Sequence, residues 1–225
     1  MIDRTEPLRT RLDRFGVRLY GALLASVTLL VIGVGCSTPQ SLIEKAETGG
    51  RYDRADALEA LTDLAQRGRL DRATPEVRER LDGYIARRFS VEPNPTLRAQ
   101  LIAIALEAEL PCAAEILRSG FDDPELAVRL QAVERIEEIP PIERRERLRR
   151  RLVEDDDPLV QIAAARAYRS FGTEDWAREL VEVIVDPNHD ENVRFQAYLS
   201  AVELTGADLM FLPEDWRAWL EENSS

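Results

Sequence analysis

DPLVQIAAARAYRSF, residues 157–171, begins with an Asp-Pro turn and then places small or apolar residues at helical spacing. Three further stretches share this pattern: PTLRAQLIAIALEAEL (95–110), ELAVRLQAVERIEEI (125–139) and ENVRFQAYLSAVELT (191–205). Their first aligned apolar residues, here called the anchors, are Leu97, Val128, Val160 and Val193. Residues four positions later are Leu101, Ala132, Ala164 and Ala197, and those eight positions later are Ala105, Ile136, Tyr168 and Ala201. The anchors are 31, 32 and 33 residues apart, which indicates one helical unit repeated along the chain.

The start of each stretch adds a local signal. Asn-Pro or Asp-Pro turns occur at 94–95, 123–124 and 157–158, and the residues that follow the anchors are Arg98, Arg129, Gln161 and Arg194. Pro fits the first turn of a helix, Asp or Asn caps its free N–H groups, and Ala lets neighbouring helices approach closely. This combination resembles the second helix of a HEAT repeat, from which Gln161 departs.

The resemblance implies an all-α fold, an α-solenoid of antiparallel helix pairs over residues 74–205. The first helices of the pairs are predicted at 75–89, 111–119, 142–153 and 174–185. We expect Arg98, Arg129 and Arg194 to bond the turn aspartates of neighbouring repeats.

The flanking segments have separate roles, because the end faces of a solenoid need caps. Residues 51–73 are predicted to form an N-terminal helical cap, although Gly-Arg-Tyr-Asp-Arg-Ala at 50–55 resembles the inter-helix turn of a tetratricopeptide repeat. Residues 206–225 are predicted to contain a C-terminal capping helix that starts at Pro213. Residues 36–50 are predicted to be a tether with one short helix.

Residues 1–35 are predicted to be an export signal. Basic residues precede the uncharged run LYGALLASVTLLVIGVG (19–35), which ends at Cys36. Gly33-Val34-Gly35-Cys36 resembles the lipobox of bacterial lipoproteins, although that family usually has Leu where Gly33 stands. The resemblance implies cleavage before Cys36 and acylation of that residue. An uncleaved signal anchor is the alternative, because the uncharged stretch reaches the length of a membrane span if residues 37–43 contribute.

Both alternatives place the rest of the chain outside the cytoplasm and tether it to a membrane. Ser37 after Cys36 resembles the sorting pattern of outer-membrane lipoproteins. We therefore expect the protein in the cell envelope, on the outer membrane facing the periplasm, with the inner membrane as the alternative.

The remainder of the chain is strongly acidic. The formal net charge is −12, and without residues 1–35 the chain has 25 basic and 39 acidic groups, a charge of −14. An acidic surface repels phosphate backbones, so nucleic acid is not an expected partner. Proteins and the lipid bilayer are the expected partners.

The sequence predicts no catalytic constellation, no metal site and no cofactor. His189, the single histidine, is interpreted as a loop residue rather than as a weak metal or pH-sensing site. Asp155-Asp156-Asp157 favours helix capping, since it lacks the ligand spacing of a calcium loop. Cys112 is interpreted as a small apolar core residue. An enzyme, or an enzyme subunit of HEAT-like lyase type, is the alternative to a non-catalytic protein.

These patterns favour a membrane-tethered scaffold for protein–protein interaction. The exposed positions of the second helices are expected to form one continuous surface that carries both charge signs. The candidate partner-binding residues are Arg147, Arg151, Arg166 and Arg169. The alternative role for the Arg-rich run 144–151 is ion pairing with acids on the same helix.

We expect Cys36→Ser to abolish incorporation of labelled palmitate and to block processing, because acylation needs the Cys36 thiol. Metabolic labelling followed by electrophoresis measures both effects. Wild-type protein that carries no label, with unchanged mobility in the variant, would instead identify the apolar run as a retained anchor.

Overall fold

Helices account for all of the regular secondary structure in residues 37–223, the part of the chain that a computed structural model describes, and this part contains no strand. The helices are α1 (Pro39–Thr48), α2 (Arg51–Gln66), α3 (Pro75–Phe89), α4 (Pro95–Glu107), α5 (Ala113–Phe121), α6 (Leu126–Glu134), α7 (Pro141–Glu154), α8 (Pro158–Phe171), α9 (Ala177–Val185), α10 (Glu191–Thr205) and α11 (Pro213–Glu222). All of them belong to one compact unit that begins at Pro39. The predicted all-α class is confirmed.

Local chemistry explains where several helices begin. The side chains of Asn94, Asp157 and Asp190 accept hydrogen bonds from backbone N–H groups two residues later, at 3.0, 2.9 and 2.8 Å. Pro stands at the start of α3, α4, α7, α8 and α11, where its missing N–H group costs nothing. The capping role predicted for the acidic run at 155–157 is thus confirmed at Asp157.

The helices pack in pairs, and the second helices of the pairs form a row. The pairs are α1/α2, α3/α4, α5/α6, α7/α8 and α9/α10. Each of the second helices α2, α4, α6, α8 and α10 also contacts the next one in this order. The repeated units of the sequence are therefore neighbours in space.

The anchors lie in the core. Leu97, Val128, Val160 and Val193 are buried, as are all eight residues that follow them at four and eight positions. This confirms the burial predicted from the shared spacing. Small residues at these positions allow close packing: a Cβ placed on Gly120 of α5 would lie 3.3 Å from the Cβ of Ala132 in α6.

The row starts earlier than the sequence predicts. The short helix expected within the tether segment 36–50 is α1, and it packs into the folded unit, where it buries Leu42, Ile43 and Ala46. The segment predicted as an N-terminal cap contains α2, which packs between α1 and α4. Residues 39–66 therefore form a further helix pair at the start of the row, because α1 has an apolar face that needs burial.

A helix and a loop cover the other end. Helix α11 forms over the predicted residues, packs against α9 and buries Trp216. The loop 206–212 lies against α10: the Tyr198 hydroxyl donates to the Leu209 carbonyl at 3.2 Å, and Phe211 contacts the Tyr198 ring with centroids 5.4 Å apart. Phe195 also contacts the Phe211 ring, with centroids 5.5 Å apart, so an aromatic cluster joins α10 to this loop.

We expect Ala132→Leu to lower the free energy of unfolding by about 1–3 kcal/mol, because the larger side chain would be forced between α5 and α6. The matched control is Ala127→Leu on the same helix, where the residue is exposed and the change should have little effect. Chemical denaturation measures both. Equal stability of the two variants would show that α5 and α6 do not approach this closely.

Candidate functional site

A ladder of arginine–carboxylate contacts connects successive helix pairs. Its arginines are the fourth residues of the second helices, and each reaches an acid in the turn before the next second helix. The rungs are Arg54–Glu92 at 3.7 Å, Arg98–Asp123 at 2.8 Å and Arg129–Asp155 at 2.9 Å. The last two are bidentate, since two guanidinium nitrogens bond the two carboxylate oxygens. The expected contacts of Arg98 and Arg129 with turn aspartates are confirmed.

The two bidentate rungs also fix the backbone of the turns that they join. The carboxylates of Asp123 and Asp155 accept hydrogen bonds from the backbone N–H groups two residues later, at 2.9 and 3.0 Å. The guanidinium groups of Arg98 and Arg129 donate to carbonyl oxygens six residues earlier, at 2.7 and 3.0 Å. A single pair of side chains therefore sets the positions of two turns.

The ladder ends at Gln161. Its Nε2 donates to the Asp155 carbonyl at 2.6 Å, which preserves the bond to the carbonyl six residues earlier. Gln161 has no guanidinium group to reach Asp186, the next turn acid, and 42 % of the Asp186 side chain is exposed. Arg194 departs from expectation, because it donates to the Ile184 carbonyl at 3.0 Å and lies over the Phe211 ring.

Asp155 is the most constrained carboxylate of the ladder. None of its side chain is exposed, and Arg129 and Arg151 both bond it at 2.9 Å. Burial alone would raise the pKa of Asp155, but hydrogen bonds from Arg129, the Asp157 N–H group and Arg151 hold this pKa below its ordinary value of 3.8. The neighbouring Asp156 differs sharply, since 95 % of its side chain is exposed.

The groups considered for chemistry do not converge. Burial and the adjacent Asp82 raise the pKa of the Cys112 thiol to about 12, so it stays protonated at neutral pH. The His189 Nε2 lies 4.0 Å from the Asp186 carboxylate in the loop before α10. Within residues 37–223, no group of three or more His, Cys, Asp or Glu side chains is arranged to hold a metal ion.

The predicted binding residues of the Arg-rich helix α7 contact other residues of the same chain. Arg147 pairs with Glu143 at 3.3 Å and lies over the Phe121 ring of α5. Arg151 bonds Asp155, and only 11 % of its side chain is exposed. Arg147 contacts the preceding helix pair through Phe121, and Arg151 does so through Asp122 at 3.5 Å.

Arg166 and Arg169 lie together on the exposed side of α8. The Arg166 Nε donates to the neutral Oε1 of Gln196 at 3.2 Å, and Arg169 forms an exposed ion pair with Glu203 at 3.5 Å. The two arginines line a groove of about 210 Å³ between α6 and α8. Its other lining residues include Val133, Glu134, Ala163, Ala167 and Phe171. The structure thus brings two of the four predicted binding residues into one groove.

Two exposed apolar residues of α10 were missed by the sequence analysis. Phe195 and Leu199 are 47 % and 41 % exposed on α10, which follows α8 in the row. They are the fifth and ninth residues of α10, positions that Ile162 and Arg166 occupy in α8. A comparison of the fifth and ninth positions of the second helices, rather than of their anchors, would have identified these two residues from the sequence.

The described residues contain no helix long and apolar enough to cross a membrane. Cys36 and the predicted signal lie outside the described residues. No family model matches this chain, and no curated protein matches it either.

We expect Asp155→Asn to lower the free energy of unfolding by about 3 kcal/mol, because it removes the buried bidentate partner of Arg129 and leaves this charge only the exposed Asp156 carboxylate at 3.2 Å. The matched control is Asp156→Asn, which should cost less than about 0.5 kcal/mol because that side chain is exposed. Denaturation at neutral pH measures both, and equal losses would show that the rung is not buried.

The contribution of Asp155 to the free energy of unfolding should also depend on pH. Because its pKa in the folded protein is lower than 3.8, the unfolded chain binds the proton more tightly. The stabilisation is therefore complete well above pH 3.8 and is lost as the pH falls through the lower folded pKa. The stability difference between wild type and Asp155→Asn should shrink over this acid range.

Proposed function

We propose that this chain is a membrane-tethered lipoprotein of the cell envelope that acts as a protein–protein interaction scaffold through HEAT-like repeats. The row of second helices is the observation that carries the proposal. The anchors pack in the core and the fourth residues form the ladder. Positions such as those of Arg166 and Leu199 remain accessible to solvent. A row of equivalent, unused positions is the kind of extended surface by which stacked helical repeats bind partners.

The same row supports the proposal that the fold is an α-solenoid. Five helix pairs repeat one packing pattern, and short connections favour antiparallel helices within each pair. The ladder repeats at the same turns, from Glu92 to Asp123 and Asp155. A regular repeat of both core and turn contacts is typical of repeat proteins, in which each unit contacts mainly its neighbours.

The proposed lipid attachment at Cys36 would hold the folded unit close to the bilayer. Only Ser37 and Thr38 separate Cys36 from the start of α1 at Pro39. Three residue steps span at most about 11 Å of extended chain. The binding surface would therefore act on partners near the membrane surface, on the outer membrane or, as the alternative, on the inner membrane.

Charge defines the type of contact. Exposed ion pairs such as Arg169–Glu203 contribute little net energy, so a partner carboxylate can replace Glu203 at small cost. Accessible charges of this kind set orientation and encounter rate more than affinity. Arg166 and Arg169 are the best candidates for partner contact, because Arg147 and Arg151 are already bonded within the chain.

We expect the double substitution Arg166→Glu/Arg169→Glu to reduce the recovery of crosslinked proteins from native membranes, with a nearly unchanged melting temperature. The matched control is Arg87→Glu/Arg150→Glu, which makes the same charge change at exposed positions of the first helices α3 and α7. Quantitative mass spectrometry of the crosslinked proteins compares the variants. If the first variant captures the same proteins as wild type, the exposed side of α8 is not the binding site.

A further inference from the structure

Three neighbouring second helices present different chemistry at one equivalent position. The ninth residue is Glu134 in α6, Arg166 in α8 and Leu199 in α10, and all three are exposed. The fifth residues of the same helices are the apolar Leu130, Ile162 and Phe195. We call these six residues the α6–α8–α10 face. Its ninth positions change from acidic to basic to apolar along the row.

The two charges of this face are not neutralised by the described part of the chain. Glu134 forms no ion pair or hydrogen bond there, and the bond of Arg166 goes to a neutral amide. By contrast, Arg98, Arg129 and Arg135 all bond carboxylates. In a strongly acidic protein, an exposed arginine that bonds no acid and adjoins apolar residues is well suited to an incoming carboxylate.

The spacing of the face matches that of a helix. Packed neighbouring helices are about 8–10 Å apart, so equivalent residues on α6, α8 and α10 repeat at about this interval. Residues seven positions apart in an α-helix lie on one side of it and are separated by about 10.5 Å. One helix laid across the row can therefore place a residue opposite each of Glu134, Arg166 and Leu199.

We propose that the α6–α8–α10 face binds an amphipathic α-helix of a partner protein that presents a basic, an acidic and an apolar residue at successive heptad positions. This inference rests on the proposed scaffold function and names the partner chemistry of that surface. Burial of Leu199, and of the part of Phe195 that its contact with the Phe211 ring leaves exposed, supplies affinity, since these are the exposed large apolar groups of this face. Glu134 and Arg166 select the order of charges and hence the direction of the bound helix.

The test uses two helical peptides of three heptads and identical composition. The first carries Lys, Glu and Leu at successive equivalent positions, and the second exchanges the Lys and the Glu. The full-length chain is held in lipid nanodiscs, with empty nanodiscs as the blank, and fluorescence anisotropy gives the dissociation constants. We expect wild type to prefer the first peptide by roughly tenfold, because the second places like charges opposite each other.

Two variants separate the contributions of charge and apolar contact. Glu134→Arg/Arg166→Glu keeps the composition of the face and its net charge, and it should reverse the peptide preference. Leu199→Ser should weaken the binding of both peptides by roughly fivefold without changing which peptide is preferred. Melting temperatures of all variants verify that each one is folded.

Several outcomes would overturn the inference. The inference is overturned if wild type binds neither peptide more tightly than the blank does, if wild type binds both peptides equally, or if the charge-exchanged variant keeps the preference of wild type. Sedimentation that shows self-association lost in the exchanged variant would assign the face to a second copy of the chain. Crosslinked partners that depend on Arg166 and Arg169 would leave the scaffold proposal intact even if no peptide discriminates.

Discussion

The buried pair of Arg129 and Asp155 is the interaction on which the regular geometry of this protein depends. Neither side chain is more than 9 % exposed, and the guanidinium group bonds the carboxylate through two nitrogens. A buried ion pair adds little net stability, because desolvation offsets most of the attraction. Its loss is costly once the fold exists, since one uncompensated charge remains inside. The pair therefore acts mainly on geometry: the start of α6 and the turn before α8 must meet at one distance.

Because this contact repeats, different positions of each second helix have different roles. The anchors and the ladder arginines hold the pairs together, so the remaining positions of the second helices are free to vary. The ninth positions show this freedom, with Glu134, Arg166 and Leu199 at equivalent places. The surface chemistry can thus change from one helix pair to the next without disturbing the packing, because the variable residues lie outside the core and the ladder.

The end of the ladder coincides with the candidate binding face. Gln161 keeps the carbonyl bond of its position but lacks the charge that would reach Asp186. Helices α8 and α10 are instead connected through buried anchors and by exposed contacts of Arg166 and Arg169. Exposed contacts are easily exchanged for contacts with a partner, whereas a buried rung is not.

The sequence by itself determined the helical class, the phase of the four repeats and the burial of their anchors. Apolar spacing is a property of the helix surface, and Pro and Asp turns act within a few residues, so both are visible along the chain. The sequence also predicted that Arg98 and Arg129 would bond turn aspartates. Arg194, for which the same contact was expected, bonds the Ile184 carbonyl instead.

Only the tertiary structure determined which charged side chains are paired with other side chains of the molecule. Arg151 and Arg166 look alike in sequence, yet one is buried against Asp155 and the other bonds only a neutral amide. It also decided that α1 belongs to the folded unit, because Leu42 and Ile43 are buried there. The physical reason is the same in each case: burial and ion pairing depend on residues from neighbouring helix pairs, which helical spacing along one segment does not specify.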